Sequence, residues 1–178
     1  QLHFHDRLSD VLCSTDRIVF FSHQWTSFTE PDPTNLQYET MVAALKELVK
    51  RRCWDPEETF VWCDYVSIPQ RSRNTQKLAI ASLSTYAGLA HAFVIVAPSV
   101  QHQDTGRECD VDTYNRRMWC RAENLAHSLR NGMHNMWVAT GSTPEECVRQ
   151  VDDREFLDAN LRVFYGEATV DADKLSLV

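Results

Sequence analysis

The chain has 178 residues, of which 43% are hydrophobic and 24% charged, and its formal net charge is −7. That is the length of one domain with enough residues to bury a core, and the composition is globular rather than disordered. The acidic balance argues against a nucleic-acid or anionic-membrane surface, and no apolar run approaches the roughly 20 residues of a membrane helix.

In chain order, residues 1–16 are mixed and polar and read as a lead-in with a short helical turn. Residues 17–22 form a β-branched and aromatic run, the pattern of a strand buried on both faces. The run ends in Ser22, His23, Gln24 and Trp25. Two prolines make residues 29–34 a loop. Asn35 is the expected cap of a helix running to Arg52, with Leu36, Met41, Val42, Leu45, Leu48 and Val49 at helical spacing. Residues 54–59 connect to a second buried strand over 60–64, which ends in Asp64. A long polar loop, 65–74, is expected next, containing Tyr65, Ile68, Pro69, Gln70, Arg71 and Arg73. Residues 75–89 read as one amphipathic helix and 92–97 as a third strand. An irregular loop follows over 98–113.

Residues 114–123 read as the first turns of a helix that runs to Arg130, capped by Asp112 or Thr113 and closed by Gly132. Trp119 and Glu123 are four residues apart and therefore lie about 40° apart on one helical face. Arg116, Arg117 and Arg121 surround them in sequence. This pattern suits a ligand with an aromatic base, a cationic centre and anionic groups. From this stretch alone the simpler reading, a core tryptophan with a solvated, arginine-paired acid, is the favoured one. A fourth strand is expected at 136–139. Ser142 or Thr143, with Pro144 and Glu145, signals another helix. A helix or short strand is expected within 154–165, and 166–178 reads as a tail. The chain is thus read as a single domain with its core at 17–165. No signal peptide is visible. Because the chain opens on Gln1 with no methionine, it is expected to be a fragment of a longer protein.

The six cysteines include no C-x-x-C pair, so they read as reduced, mostly buried thiols of an intracellular protein. His3, His5 and His102 have no compatible partners nearby, and no metal site is expected.

Alternating hydrophobic strands and helices predict an α/β domain with a central parallel sheet of four to five strands. Ligands of such sheets bind beyond the carboxyl ends of the strands. Ser22, His23 and Trp25 after the first strand, Asp64 and Gln70 after the second, and the helix after the third all belong to that edge. No dinucleotide-binding or phosphate-loop glycine motif is present.

Four segments, taken in order, resemble the Toll/interleukin-1 receptor (TIR) domain: Phe20-Phe21-Ser22-His23; Val61-Trp62-Cys63-Asp64 with Ile68-Pro69; Phe93-Val94-Ile95-Val96; and Trp119-Cys120-Arg121-Ala122-Glu123. Ile68-Pro69-Gln70 and the Arg117, Trp119, Glu123 spacing also resemble the fungal heterokaryon-incompatibility (HET) domain. The resemblance covers about residues 17–140. Gln70 stands where the TIR loop usually has glycine, and Asn124 where an aliphatic residue usually follows the glutamate.

The resemblance implies a flavodoxin-like three-layer fold. It also implies hydrolysis of NAD+ as substrate, without a cofactor, to nicotinamide and ADP-ribose or a cyclic product, in cytoplasmic immune or cell-death signalling. Glu123 would be catalytic. Ser22, His23, Trp25, Asp64, Gln70, Arg71, Trp119 and Arg121 would line the site, with Arg73, Arg116 and Arg117 as further candidates for the diphosphate. Cys120, Tyr65 and Tyr114 read as packing. Homo-oligomerisation through the 65–74 loop is expected. The alternatives are a non-catalytic self-association module and a sensor of an NAD-derived nucleotide.

Overall fold

The computed structural model describes residues 15–69, 71–143, 146–154, 156 and 162–168. The first strand, β1 (Arg17–His23), lies inside a five-stranded sheet. Its neighbours are β2 (Thr59–Cys63) and β3 (Ala92–Val96), both parallel to it. Beyond β3 come β6 (Met136–Ala139), also parallel, and β7 (Arg149–Gln150), which is antiparallel and closes the far edge. The chain leaves β1 for one neighbour and returns to its other side at β3. The crossovers therefore diverge at β1, the place where α/β sheets open a crevice.

Alternation along β1 feeds both faces of the sheet. Val19 and Phe21 pack with Val94, Val96 and, from helix α1 (Leu36–Arg52), Ala44 and Leu48. Phe20 turns to the opposite face, toward Phe93, Ile95 and helices α4 (Leu83–Leu89) and α6 (Met118–Asn131). The result is the three-layer, flavodoxin-like arrangement expected from the sequence. Phe20 stacks on Trp62 at 4.2 Å and on Phe93 at 5.1 Å. Both are its register partners, so aromatic contacts tie the three strands together.

Several local expectations are corrected. Asn35 occupies the cap position of α1 in the left-handed conformation (φ 59°) and makes no side-chain cap bond. Asp32 does that work, its carboxylate accepting the Tyr38 N–H at 2.8 Å. Much of the 65–74 loop is helical. Asp64 starts α2 (Asp64–Ser67), with its carbonyl accepting from the Ile68 N–H at 2.8 Å, and Ser72 caps α3 (Arg73–Ala81). The expected 75–89 helix is two helices, α3 and α4, parted at Ser82. The Ser82 hydroxyl donates back to the Leu78 carbonyl at 2.9 Å, a bond that bends helices.

The 98–113 loop contains a two-stranded ribbon, β4 (Val100–Gln101) with β5 (Glu108–Cys109), and the start of α5 (Val111–Arg116). Around the expected 142–145 helix, the described residues Gly141–Thr143 and Glu146–Val148 are turn and bend. Cys147 N–H bonds the Thr143 carbonyl at 2.8 Å. Residues 163–165 form a single 3-10 turn. The expectations for residues 1–14, Gln70, Pro144, Glu145, 155, 157–161 and 169–178 fall outside the described residues.

The largest correction concerns residues 114–123, which do not open one helix. Asp110 and Thr113 form a reciprocal capping box for α5, which ends at Arg116. Arg117 is extended (φ −73°, ψ 127°), and α6 restarts at Met118. The backbone groups freed by this break find partners in Glu167. Its N–H donates to the Arg116 carbonyl at 2.7 Å, and its carbonyl accepts from the Met118 N–H at 3.0 Å. Residues 166 and 167, assigned to the tail from sequence, therefore hold the helix junction. A Cβ on Gly166 would sit 2.6 Å from Met118 Cα and 2.8 Å from its nitrogen, so only glycine allows this approach.

Gly166→Ala is expected to destabilise the fold by about 1–3 kcal/mol, the usual cost of overpacking against backbone. Urea unfolding would show a lower midpoint at unchanged slope. An unchanged midpoint would mean that residues 162–168 yield to a methyl group without cost.

Candidate functional site

The carboxyl edge of the sheet carries an open cleft of about 660 Å³. β1 delivers His23, Gln24 and Trp25 to it. Asp64 and Tyr65 enter from the β2–α2 corner, and Gln76, Lys77, Ile80 and Ala81 from α3. Arg117, at the helix junction, and Trp119, Cys120 and Glu123 of α6 complete the wall. Helical spacing aims Trp119 and Glu123 at the same side, and the break at Arg117 sets the direction of the first turn of α6.

Glu123 is buried, with 8% of its surface exposed. Its Oε2 is in hydrogen-bond contact with the Ser22 hydroxyl, from the penultimate residue of β1, which donates to the carboxylate and can accept from the protonated acid. Burial pushes the Glu123 carboxyl up to about 8, the Ser22 bond pulls it down, and nearby Asp64 pushes it up. No arginine or lysine forms an ion pair with Glu123 among the described residues.

Ser22 also bonds the Tyr114 hydroxyl of α5 at 2.6 Å, and that hydroxyl donates to Asn124 Oδ1 at 3.0 Å. Ser22, Tyr114 and Asn124 are essentially inaccessible to solvent. Burial raises the Tyr114 hydroxyl well above its ordinary value, and Cys120 and Glu123 add to the rise.

Asp64 is the second acid of the cleft, and its environment is different. Its Oδ2 accepts from the Trp25 indole N–H at 3.0 Å, and Oδ1 accepts from the Tyr65 N–H at 2.6 Å. His23 Nε2 lies 3.7 Å from Oδ1, and the Cys63 thiol 3.8 Å from it. The side chain keeps 29% exposure. His23, Cys63 and Asp64 bring three metal-capable atoms within 4.8 Å of one another. The Cys63 thiol is pushed up to about 12 by burial and then by Asp64, so it holds its proton. Cys120 is also raised well above the usual thiol value, burial being the main cause.

The sequence candidates sort by position. Glu123, His23, Trp25, Asp64 and Trp119 line the cleft. Ser22 stands behind Glu123 and reaches the cleft only through it. Arg121 points elsewhere, its Nε bonding the Asn115 carbonyl at 2.5 Å and its Nη1 the Arg162 carbonyl at 3.0 Å. Arg71 is exposed and is not among the lining residues. Gln70 lies outside the described residues. The cations that do line the cleft are Arg117 and Lys77. Lys77 was not singled out in sequence, because it stands in the middle of a helix that looked merely amphipathic. Tyr114 is a buried hydrogen-bonding partner rather than packing alone, and only its place ten residues before Asn124 could have signalled this.

No family model matches the chain, and neither does any curated protein or solved structure.

The raised Glu123 carboxyl has a signed consequence for stability. The unfolded carboxyl ionises near 4.5, while the folded one keeps its proton up to about 8. The contribution is therefore complete below pH 4.5 and is lost as pH climbs to 8. At 1.36 kcal/mol per pKa unit the ceiling is about 5 kcal/mol. Glu123→Gln, which cannot ionise, is expected to gain stability over the native protein progressively between those two values and hold the gain above them. Chemical denaturation of both proteins at pH 4, 6 and 8.5 would measure it. A stability difference that does not vary with pH would show that Glu123 titrates normally in the fold.

Proposed function

We propose that this domain is an NAD+ glycohydrolase of the TIR/HET-like kind, with Glu123 as its catalytic carboxylate. The observation that carries the reading is the position of Glu123. It is a nearly buried acid with no ion-pair partner among the described residues, facing a cleft at the ligand-accepting edge of the sheet. The four sequence segments that resemble the family converge on that same edge.

In this chemistry the bond between nicotinamide and ribose C1′ breaks with its electron pair passing to the ring nitrogen. Nicotinamide then leaves neutral and needs no acid. Positive charge develops on the ribose, and a carboxylate against it lowers the barrier electrostatically. Water adds to C1′ and releases a proton. Lys77 and Arg117 supply cations for the diphosphate. Trp119 and Trp25 offer aromatic surface to the bases. A cleft of about 660 Å³ is of the size that small-molecule sites have. The described cysteines are all free thiols, which agrees with a reducing, cytoplasmic setting.

One observation favours a second role beside catalysis. Tyr65 and Val66 on α2 and Leu78 on α3 are large apolar side chains in solvent, at 47%, 61% and 69% exposure. They lie within and just after the segment expected to mediate self-association, so assembly of several copies there would cover them.

Purified protein incubated with NAD+ is expected to release nicotinamide, and Glu123→Gln and Glu123→Ala to lose at least about 100-fold of that rate, the scale of removing one electrostatic stabiliser. No release at any protein concentration would leave a scaffold or a nucleotide sensor. Release that survives in both variants would remove Glu123 from the reaction. If assembly completes the site, specific activity rises with protein concentration, and Val66→Asp flattens that rise. Constant specific activity across a wide dilution series would argue against assembly.

A further inference from the structure

A line of oxygen atoms runs from the cleft into the core: Glu123 Oε2, Ser22 Oγ, the Tyr114 hydroxyl and Asn124 Oδ1. It contains three contacts, and each requires one hydrogen between its two oxygens. Asn124 presents its carbonyl oxygen, which has no hydrogen to give. The two hydroxyls supply two hydrogens, so the third belongs to Glu123. The consistent arrangement is directional. The carboxylic acid donates to Ser22, Ser22 donates to Tyr114, and Tyr114 donates to Asn124. If Glu123 loses its proton, either two lone pairs face each other in a dry interior or Asn124 must turn its amide over.

We infer that Tyr114 and Asn124 are positioning residues that hold Glu123 as a neutral acid while the cleft is empty, and that a cationic pyridinium in the cleft ionises it. The ligand class follows from the charge. The oxidised, pyridinium-bearing dinucleotide stabilises the carboxylate, whereas the reduced dinucleotide, with its uncharged ring, does not. This specificity clause rests on the glycohydrolase reading, but the hydrogen count does not.

The groups around Glu123 act in the same direction. From α2, Asp64 repels a charge on it, and from β2, Cys63 stands as a protonated thiol. From β1, His23 faces Asp64 rather than Glu123. On its own helix, Cys120 is a buried neutral thiol. Arg117, at the junction, lowers the Cys120 and Cys109 thiols but makes no ion pair with Glu123. From α5 only the Tyr114 hydroxyl arrives, and it is protonated. Lys77 of α3 and Arg117 line the same cleft, but among the described residues no cation is ion-paired with Glu123, so the compensating charge has to come with the ligand. Its proton passes to solvent when the ligand binds.

The test has two arms. In ligand-free protein, carbon NMR of the glutamate carboxyls should show Glu123 titrating near 8. In Tyr114→Phe the Ser22 hydrogen is no longer claimed by a second hydroxyl and turns to the carboxylate, so Glu123 should titrate lower by about one unit or more. A purely packing role for Tyr114 leaves the titration unchanged. That result, or ordinary carboxyl titration in the native protein, overturns the lock whatever the protein does with NAD+. In the second arm, calorimetry at pH 7 in two buffers of different ionisation heat should show close to one proton released per molecule bound of a carbocyclic NAD+ analogue, which keeps the pyridinium charge but cannot be hydrolysed, and almost none for the reduced dinucleotide. Binding of the analogue without proton release overturns the coupling. If Glu123 titrates as expected but neither dinucleotide binds, the glycohydrolase reading and the specificity clause fall while the lock stands.

Discussion

The bond from Ser22 to Glu123 is the constraint on which the site depends. It joins the end of the central strand to the first turns of α6 across 101 residues of sequence. A carboxyl left alone in a cleft would rotate into water. Tied to a buried serine, it stays in a fixed place at the mouth of the sheet and bears the desolvation that raises its pKa. Ser22 can do this because β1 is an interior strand, paired on both sides and buried from Val19 to His23. On an edge strand the same hydroxyl would be solvated.

The second requirement is the angle of α6. A continuous helix from Val111 onward would carry Tyr114 and Glu123 on one rigid rod, with no freedom to place both at Ser22. The extended residue at Arg117 splits the rod. Tyr114 then approaches Ser22 from α5 and Glu123 from α6. Such a break normally leaves backbone groups without partners, and here the Glu167 backbone supplies them, with Gly166 permitting the close approach. The stability of a distant, late segment is therefore coupled to the geometry of the acid.

Much of the fold was legible because β1, β3 and β6 are nearly continuous apolar runs, and such runs in alternation with amphipathic helices leave little choice but a parallel sheet. The convergence of Ser22, His23, Asp64 and Glu123 on one edge followed from the same topology. What could not be read depended on contacts remote in sequence. Nothing local to residues 114–123 announces that Glu167 will split the helix. Arg121 looked like a ligand residue by charge and spacing, yet the helix turns it toward backbone carbonyls of Asn115 and Arg162. Asn124 looked like a departure from a family pattern, whereas in the fold it is the end of a hydrogen-bonded line. The α2 turn was hidden by Pro69 and the polar residues after it, which also make good loops.

Two acids share the cleft, and their surroundings separate their roles. Asp64 is partly solvated and accepts from the Trp25 indole, the Tyr65 amide and the Cys63 thiol. Glu123 has the Ser22 hydroxyl alone, and that hydroxyl is contested by Tyr114. Asp64 orients Trp25 through its indole N–H. Glu123 is the acid held in reserve, whose charge appears only when a cation makes it favourable. This division of labour follows from the number of donors around each carboxyl, and exchanging those donors would exchange the roles.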